Sequence, residues 1–161
     1  MDILRYYRHD VLNDLQVVQA YSSMGKLEKV EEKIATYMVH FDEERKLMNL
    51  NAANLALWLI PFNCIHPNFR FTYAICVEKV DMSDIDEQLT LECKACVEYL
   101  QESTDDNTLY EGELFLEYLP ETEQIQVTFI LNGPLVDQET GSNKDDIIRK
   151  VTIPWNGKGG K

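Results

Sequence analysis

The stretch Val17–Ile34, VVQAYSSMGKLEKVEEKI, decides the fold. At its centre Ser22-Ser23-Met24-Gly25 is a stop-and-turn signal, with a glycine where a helix ends. Apolar periodicity runs away from this turn in both directions. Upstream, residues 2–23 read as a helix that neither Gly nor Pro interrupts. At about 100° per residue, Leu4, Tyr7, Val11, Leu15 and Val18 share one face, with Leu12 at its edge. Downstream, a second helix is expected from about Lys26 to Met48. Its stripe is Leu27, Val30, Ile34, Tyr37/Met38, Phe41 and Met48, close to a heptad repeat. Its opposite side carries Glu28, Lys29, Glu32, Lys33, Thr36, His40 and Glu43. The two segments predict an antiparallel helical hairpin, which cannot bury both stripes by itself. The patterning therefore predicts a four-helix bundle completed by a second copy, a homodimer. The alternative is a hairpin packed on the rest of its own chain.

From Asn51 the character changes. Asn51 is placed to cap a short helix from Ala52 to about Ile60, ended by Pro61 and a loop over Asn63–Asn68. Phe69–Val80 alternates and is rich in aromatic and β-branched residues, the pattern of a strand. Asp81-Met82-Ser83-Asp84 offers caps for a helix to about Glu102, followed by a loop over Ser103–Thr108. Leu109–Leu119 and Gln124–Leu131 predict a hairpin across Pro120-Glu121-Thr122-Glu123. Asp145–Arg149 reads as one helical turn and Lys150–Pro154 as a last strand. The tail 156–161 reads as disordered. The fold class is α+β, with a helical hairpin over 1–50 and a small α/β domain over 51–155.

Composition narrows the function. The chain has 161 residues, a size for one domain or a domain with an appended hairpin. With 28 acidic against 15 basic residues the net charge is −13, which repels nucleic-acid phosphates and anionic membrane surfaces. No stretch approaches the ~20 apolar residues of a membrane helix, and the charged start MDILRYYRHD is no signal peptide. Four cysteines without such a signal point to free thiols in the cytoplasm.

On the first helix His9, Asn13 and Gln16 lie opposite the stripe, with Arg5 nearby and Asp10 at one flank. His9 is thus expected to face solvent. An imidazole with its ordinary pKa of ~6.5 is a nucleophile at neutral pH, although a plain surface histidine has the same placement. The pattern Arg8-His9-Asp10-x-x-Asn13-x-Leu15-Gln16 resembles the phospho-acceptor box of the SPOB-type histidine dimerisation helix. It is similar to the arg-his-asp-x-x-asn-x-leu-gln signature of citrate-type sensor kinases. More broadly, the chain resembles the sporulation initiation phosphotransferase B family of endospore-forming bacilli. In that family the box begins a helical hairpin, followed by an α/β domain like a degenerate histidine-kinase ATPase domain. Over residues 5–50 the box, the hairpin length and the exit Lys46-Leu47-Met48-Asn49-Leu50 agree; beyond, the order of elements matches. Asp14 stands where the family commonly has a basic residue, and little chain precedes the histidine.

The resemblance implies a phosphotransferase of a sporulation phosphorelay with a phosphohistidine intermediate. His9 would accept a phosphoryl group from the aspartate of a single-domain receiver and pass it to the receiver of a transcription factor. Such a transfer is mostly positioning and electrostatics. The implied chain needs no cofactor of its own, because the receiver brings Mg²⁺. Asp10 would orient or polarise the imidazole, though a solvated helix acid fits it equally. Asn13 would bond a phosphoryl oxygen or a receiver loop. Arg5 would pair with receiver acids, and Gln16 would join it in partner binding. Arg8, nearer the stripe, serves either partner binding or the bundle seam.

An ATP site is not expected. The candidate helix Gln88–Cys96 has no asparagine for Mg²⁺, and Gly133 and Gly141 are isolated. Cys93-x-x-Cys96, with Cys64 and His66, nominally makes four zinc ligands, but it lies inside an amphipathic helix, where cysteines act as small hydrophobes. His40 and His66 read as surface residues. The competing class is a non-catalytic dimeric interaction module that docks on a receiver or sensor kinase.

Overall fold

The computed structural model describes residues 3–77, 80–105, 107–132 and 146–155. Two helices form the expected hairpin: α1, Ile3–Ser23, and α2, Leu27–Met48. Gly25 turns between them at φ +69°, a conformation that costs a glycine little. Beyond lie α3 (Ala53–Leu59), α4 (Phe62–Ile65), β1 (Phe69–Ile75), α5 (Asp86–Glu102), β2 (Tyr110–Leu119), β3 (Gln124–Leu131) and β4 (Ile147–Pro154). The four strands form one sheet in the order β1-β2-β3-β4. β1 and β2 run parallel, with α5 between them in sequence as the crossover a parallel pair requires; the other pairs are antiparallel. The protein is therefore α+β.

Alternation along the strands sorts the side chains onto two faces. Phe69, Phe71, Tyr73 and Ile75 of β1 are buried with Leu114, Leu116, Ile125, Val127 and Ile153. Leu89, Cys93, Val97 and Leu100 of α5 complete that core, together with Leu55 and Leu59 of α3. On the other face Arg70 stands opposite Glu111 and Thr72 opposite Glu113, all exposed. The free edge of β1 is covered by its own chain. Asn63 mimics a neighbouring strand: its Oδ1 accepts from Phe71 N and its Nδ2 donates to Phe71 O, both at 2.9 Å. Glu43 of α2 accepts from Ile75 N at 2.6 Å. An edge satisfied in this way offers no template to another chain.

The hairpin stripes split in two. Tyr7, Val11 and Val18 are half-buried on α1, as are Val30 and Tyr37 on α2. Leu4, Leu12, Leu15, Leu27, Ile34, Met38, Phe41 and Met48 are exposed, although the sequence placed most of them in the same stripes. Lys33, His40 and Glu43, assigned to the polar side of α2, are not fully exposed, and Glu44 is buried. The base of the hairpin packs on β1, so polar residues that reach the sheet are covered while apolar ones facing outward are not.

Several local expectations are corrected. Asn51 does not cap α3: it takes φ +55°, and Ala52 at the N-cap makes no side-chain bond. Asp86, far away in sequence, caps α3 instead, accepting from Asn54 N at 2.8 Å and Leu55 N at 2.9 Å. Likewise Asp81–Asp84 do not cap α5, whose N-cap is Ile85; Asp81 closes a local turn on Ser83 N. The segment after Pro61 is not all loop, because Phe62 is drawn into the core and a turn of helix forms around it. β1 stops at Ile75, short of Val80. Ile147–Arg149 are strand, not a helical turn, since β3 is long enough to pair with them. The expected tail, 156–161, lies outside the described residues, as does Asp145.

Candidate functional site

The site begins with what fixes α1. The Tyr7 hydroxyl donates to Glu44 Oε2 at 2.8 Å, and His40 Nε2 stands 3.0 Å from the other oxygen, Oε1. Glu44 is 4% exposed; the Tyr7 bond satisfies Oε2, while Oε1 has the nearby His40 ring but no hydrogen bond to replace the solvation it has lost. Burial first, and the Glu44 bond next, push the Tyr7 hydroxyl up to about 12, so it remains a donor. The His40 ring packs against Tyr73 of β1 at 5.5 Å. The lower part of α1 is thereby tied to α2 and through α2 to the sheet. His40 is a half-buried structural residue, not the surface residue expected.

His9 lies two residues past Tyr7, which turns it about 200° around the helix and away from that seam. Its side chain is 71% exposed. The Asn13 amide nitrogen is 3.1 Å from Nδ1, and Asp10 Oδ1 is 3.7 Å from the same atom. Both neighbours thus address one ring nitrogen, and their contacts leave Nε2 unengaged. Beside the ring an open depression of about 510 Å³ is lined by Leu4, Arg5, Arg8, His9 and Leu12. Two arginines, Arg5 and Arg8, thus share a depression with His9 in a chain whose net charge is −13. Arg8 lies in this depression beside Leu4 and Leu12 of the exposed apolar row, so its placement fits the site and the seam alike. Gln16 is exposed two turns further along. Asp14 faces inward and is half-buried toward Tyr37. Burial, with Asp14 next, raises the Tyr37 phenol.

One residue escaped the sequence reading. Cys64 of α4 donates its thiol to Asp10 Oδ2 at 2.7 Å, across 54 positions of sequence. Burial, followed by the Asp10 bond and charge, pushes that thiol up to about 12. No spacing rule could have paired Cys64 with Asp10. His66, at the end of α4, is half-buried, packs on Phe62 at 4.3 Å and has Nδ1 3.0 Å from the Gln101 amide nitrogen. Cys93 is fully buried and Cys96 half-buried. Among the described residues no grouping of His, Cys, Asp and Glu suits a metal ion, and no helix is long and apolar enough to cross a membrane.

Comparison with known proteins finds two similarities. Residues 1–50 match the family model described as the alpha-helical domain of SpoOB-type sensor kinases. Sporulation initiation phosphotransferase B of Bacillus subtilis (strain 168) is 31% identical over 87 residues, which are 54% of this chain. The matched segment covers 45% of that relative, under half of its length.

Proposed function

We propose that this chain, a SpoOB-type protein through its helical first fifty residues, is a histidine phosphotransferase of a sporulation phosphorelay. Its own carrier is His9. The observation that carries the reading is the ring itself: exposed on α1, with Asn13 and Asp10 at Nδ1 and, among the described residues, no partner at Nε2. The Asp10 charge favours the proton on Nδ1, and Asn13 accepts it once its amide is turned oxygen-first, a rotation that changes no shape. The Nε2 lone pair then faces the partner.

In the first step Nε2 attacks the phosphorus of a receiver's aspartyl phosphate. The N–P bond forms, the O–P bond breaks, and the receiver carboxylate leaves. Because Nδ1 keeps its proton, the phosphorylated ring is cationic, and Asp10 stabilises it. In the second step a carboxylate of another receiver attacks, the N–P bond breaks, and neutral imidazole leaves with its proton where it began. Arg5 and Arg8 offer positive charge to the three phosphoryl oxygens, where charge accumulates in a loose transition state. The chain brings no cofactor to this chemistry; Mg²⁺ comes with the receiver and neutralises phosphoryl charge.

The working unit is a homodimer. The apolar row of Leu4, Leu12, Leu15, Leu27, Ile34, Met38, Phe41 and Met48 supports pairing of two hairpins into a four-helix bundle. Residues 51–155 act as a kinase-like domain without ATP chemistry, and the protein works in the cytoplasm. The test is incubation with phosphorylated receivers of the same organism. Wild type takes up label, His9→Ala takes up none, and Asn13→Ala is slower with the acceptor atom intact. A wild type that binds receivers without taking phosphate is a non-catalytic interaction module instead.

A further inference from the structure

Asp10 has two carboxylate oxygens with different neighbours. Oδ1 lies 3.7 Å from His9 Nδ1, and Oδ2 accepts the Cys64 thiol at 2.7 Å. We propose that Cys64 is a positioning residue of the His9 site: it holds the Asp10 carboxylate in the rotamer that turns Oδ1 toward the ring and so keeps the proton on Nδ1. The proposal rests on the reading of His9 as the phosphoryl carrier.

The physical case starts from freedom. Asp10 is 53% exposed, and a solvated aspartate on a helix surface samples several rotamers. A single donor that fixes one oxygen fixes the other as well. The donor must itself be immobile, and the turn that carries it is. Phe62 is buried in the core, and Asn63 is bonded to both the N–H and the C=O of Phe71. Cys64 N donates to Pro61 O at 3.0 Å. The Arg70 guanidinium bonds the carbonyls of Asn63, Pro67 and Phe69 around the same turn. The thiol therefore sits on a turn bonded to the edge of the sheet, while Asp10 sits on the acceptor helix. Its raised thiol pKa keeps it protonated, as a donor must be. Thiolate at this place would repel the carboxylate and release it. The contact also joins α1 directly to α4, which is bonded to the edge of the sheet.

The test uses the full chain and three substitutions. Cys64→Ala removes the donor, Cys64→Ser keeps one, and Asp10→Asn removes the carboxylate charge. The first readout is the ring of His9 by nitrogen-15 NMR with labelled histidine, which reports tautomer and titration without any receiver present. Wild type and Cys64→Ser should hold the Nδ1–H tautomer, and Cys64→Ala should shift toward Nε2–H, the form preferred in water. The second readout is transfer from a phosphorylated receiver. Cys64→Ala should be about tenfold slower, the effect of one hydrogen bond, and Cys64→Ser should recover most of the rate. The reciprocal readout is the Cys64 thiol, whose pKa should fall from about 12 in Asp10→Asn. The proposal is overturned if Cys64→Ala keeps the wild-type tautomer and rate, or if the serine variant behaves as the alanine one. If wild type accepts no phosphate, the reading of His9 as carrier fails, while the tautomer and thiol measurements still decide the contact.

Discussion

Ile34→Asp isolates the open face of the hairpin. Ile34 is 47% exposed, so covering the rest of it against a second copy stabilises about 1 kcal/mol per chain. Twofold symmetry counts that loss twice. The larger effect is the charge, because an aspartate under an apolar partner surface costs several kcal/mol in each copy unless water or a cation reaches it. Together the substitution weakens association by at least ~6 kcal/mol, more than ~10⁴-fold in the dissociation constant. A dimer that forms at micromolar concentration then stays apart at any practical concentration. The fold of each copy survives, because Ile34 is outside the buried core. Sedimentation equilibrium should give wild type at twice 18.7 kDa and the variant at 18.7 kDa. Val39 is 65% exposed but lies about 140° around α2 from Ile34 by helical geometry, so Val39→Asp should remain dimeric. A monomeric wild type, or an Ile34→Asp protein that still pairs, would refute the bundle.

Three further outcomes test the fold around the site. Asp86→Ala leaves the Asn54 and Leu55 amides of α3 without their acceptor, and should cost about 2–3 kcal/mol in urea unfolding at unchanged slope; Asp86→Asn should cost less. Gly112→Ala places a methyl group 2.6 Å from both Ile130 O and the Phe71 ring, and should lower the unfolding midpoint by an amount worth about 2–3 kcal/mol. Burial holds His66 below its ordinary 6.5, so on acidification the unfolded chain binds that proton first. Its contribution to stability is complete above 6.5 and declines as pH falls below it; His66→Gln should flatten the pH dependence of the unfolding midpoint in that window.

The hairpin was legible because helical period, turn chemistry and length all agreed over Leu4–Met48. The division of its stripes was not, since periodicity locates an apolar face but does not say whether it meets a partner helix, the sheet or a second copy. His40 shows the limit: its place on the wheel is polar, yet the sheet comes to it and Glu44 partners it. The strand pairs Tyr110–Leu119 and Gln124–Leu131 were readable from alternation and a tight turn. Ile147–Arg149 were not, because a strand at the end of a sheet is decided by the neighbour it pairs with. Caps failed for the same reason, as Asp86 reaches α3 through space while Asn51 is merely adjacent to it. In the site, His9, Asp10 and Asn13 share one helix, so their spacing fixes their geometry. Cys64 enters only when α4 folds against α1, and nothing local announces it.

The central claim is that a phosphoryl group rests covalently on His9. The direct measurement is phosphorus NMR and peptide mapping of the full chain after incubation with an excess of phosphorylated receiver. A phosphoramidate signal, labile to acid and stable to alkali, on the Nε2 of His9 and absent from His9→Ala, is the expected result. Label on another residue, or relay of phosphate between two receivers by His9→Ala, would contradict it.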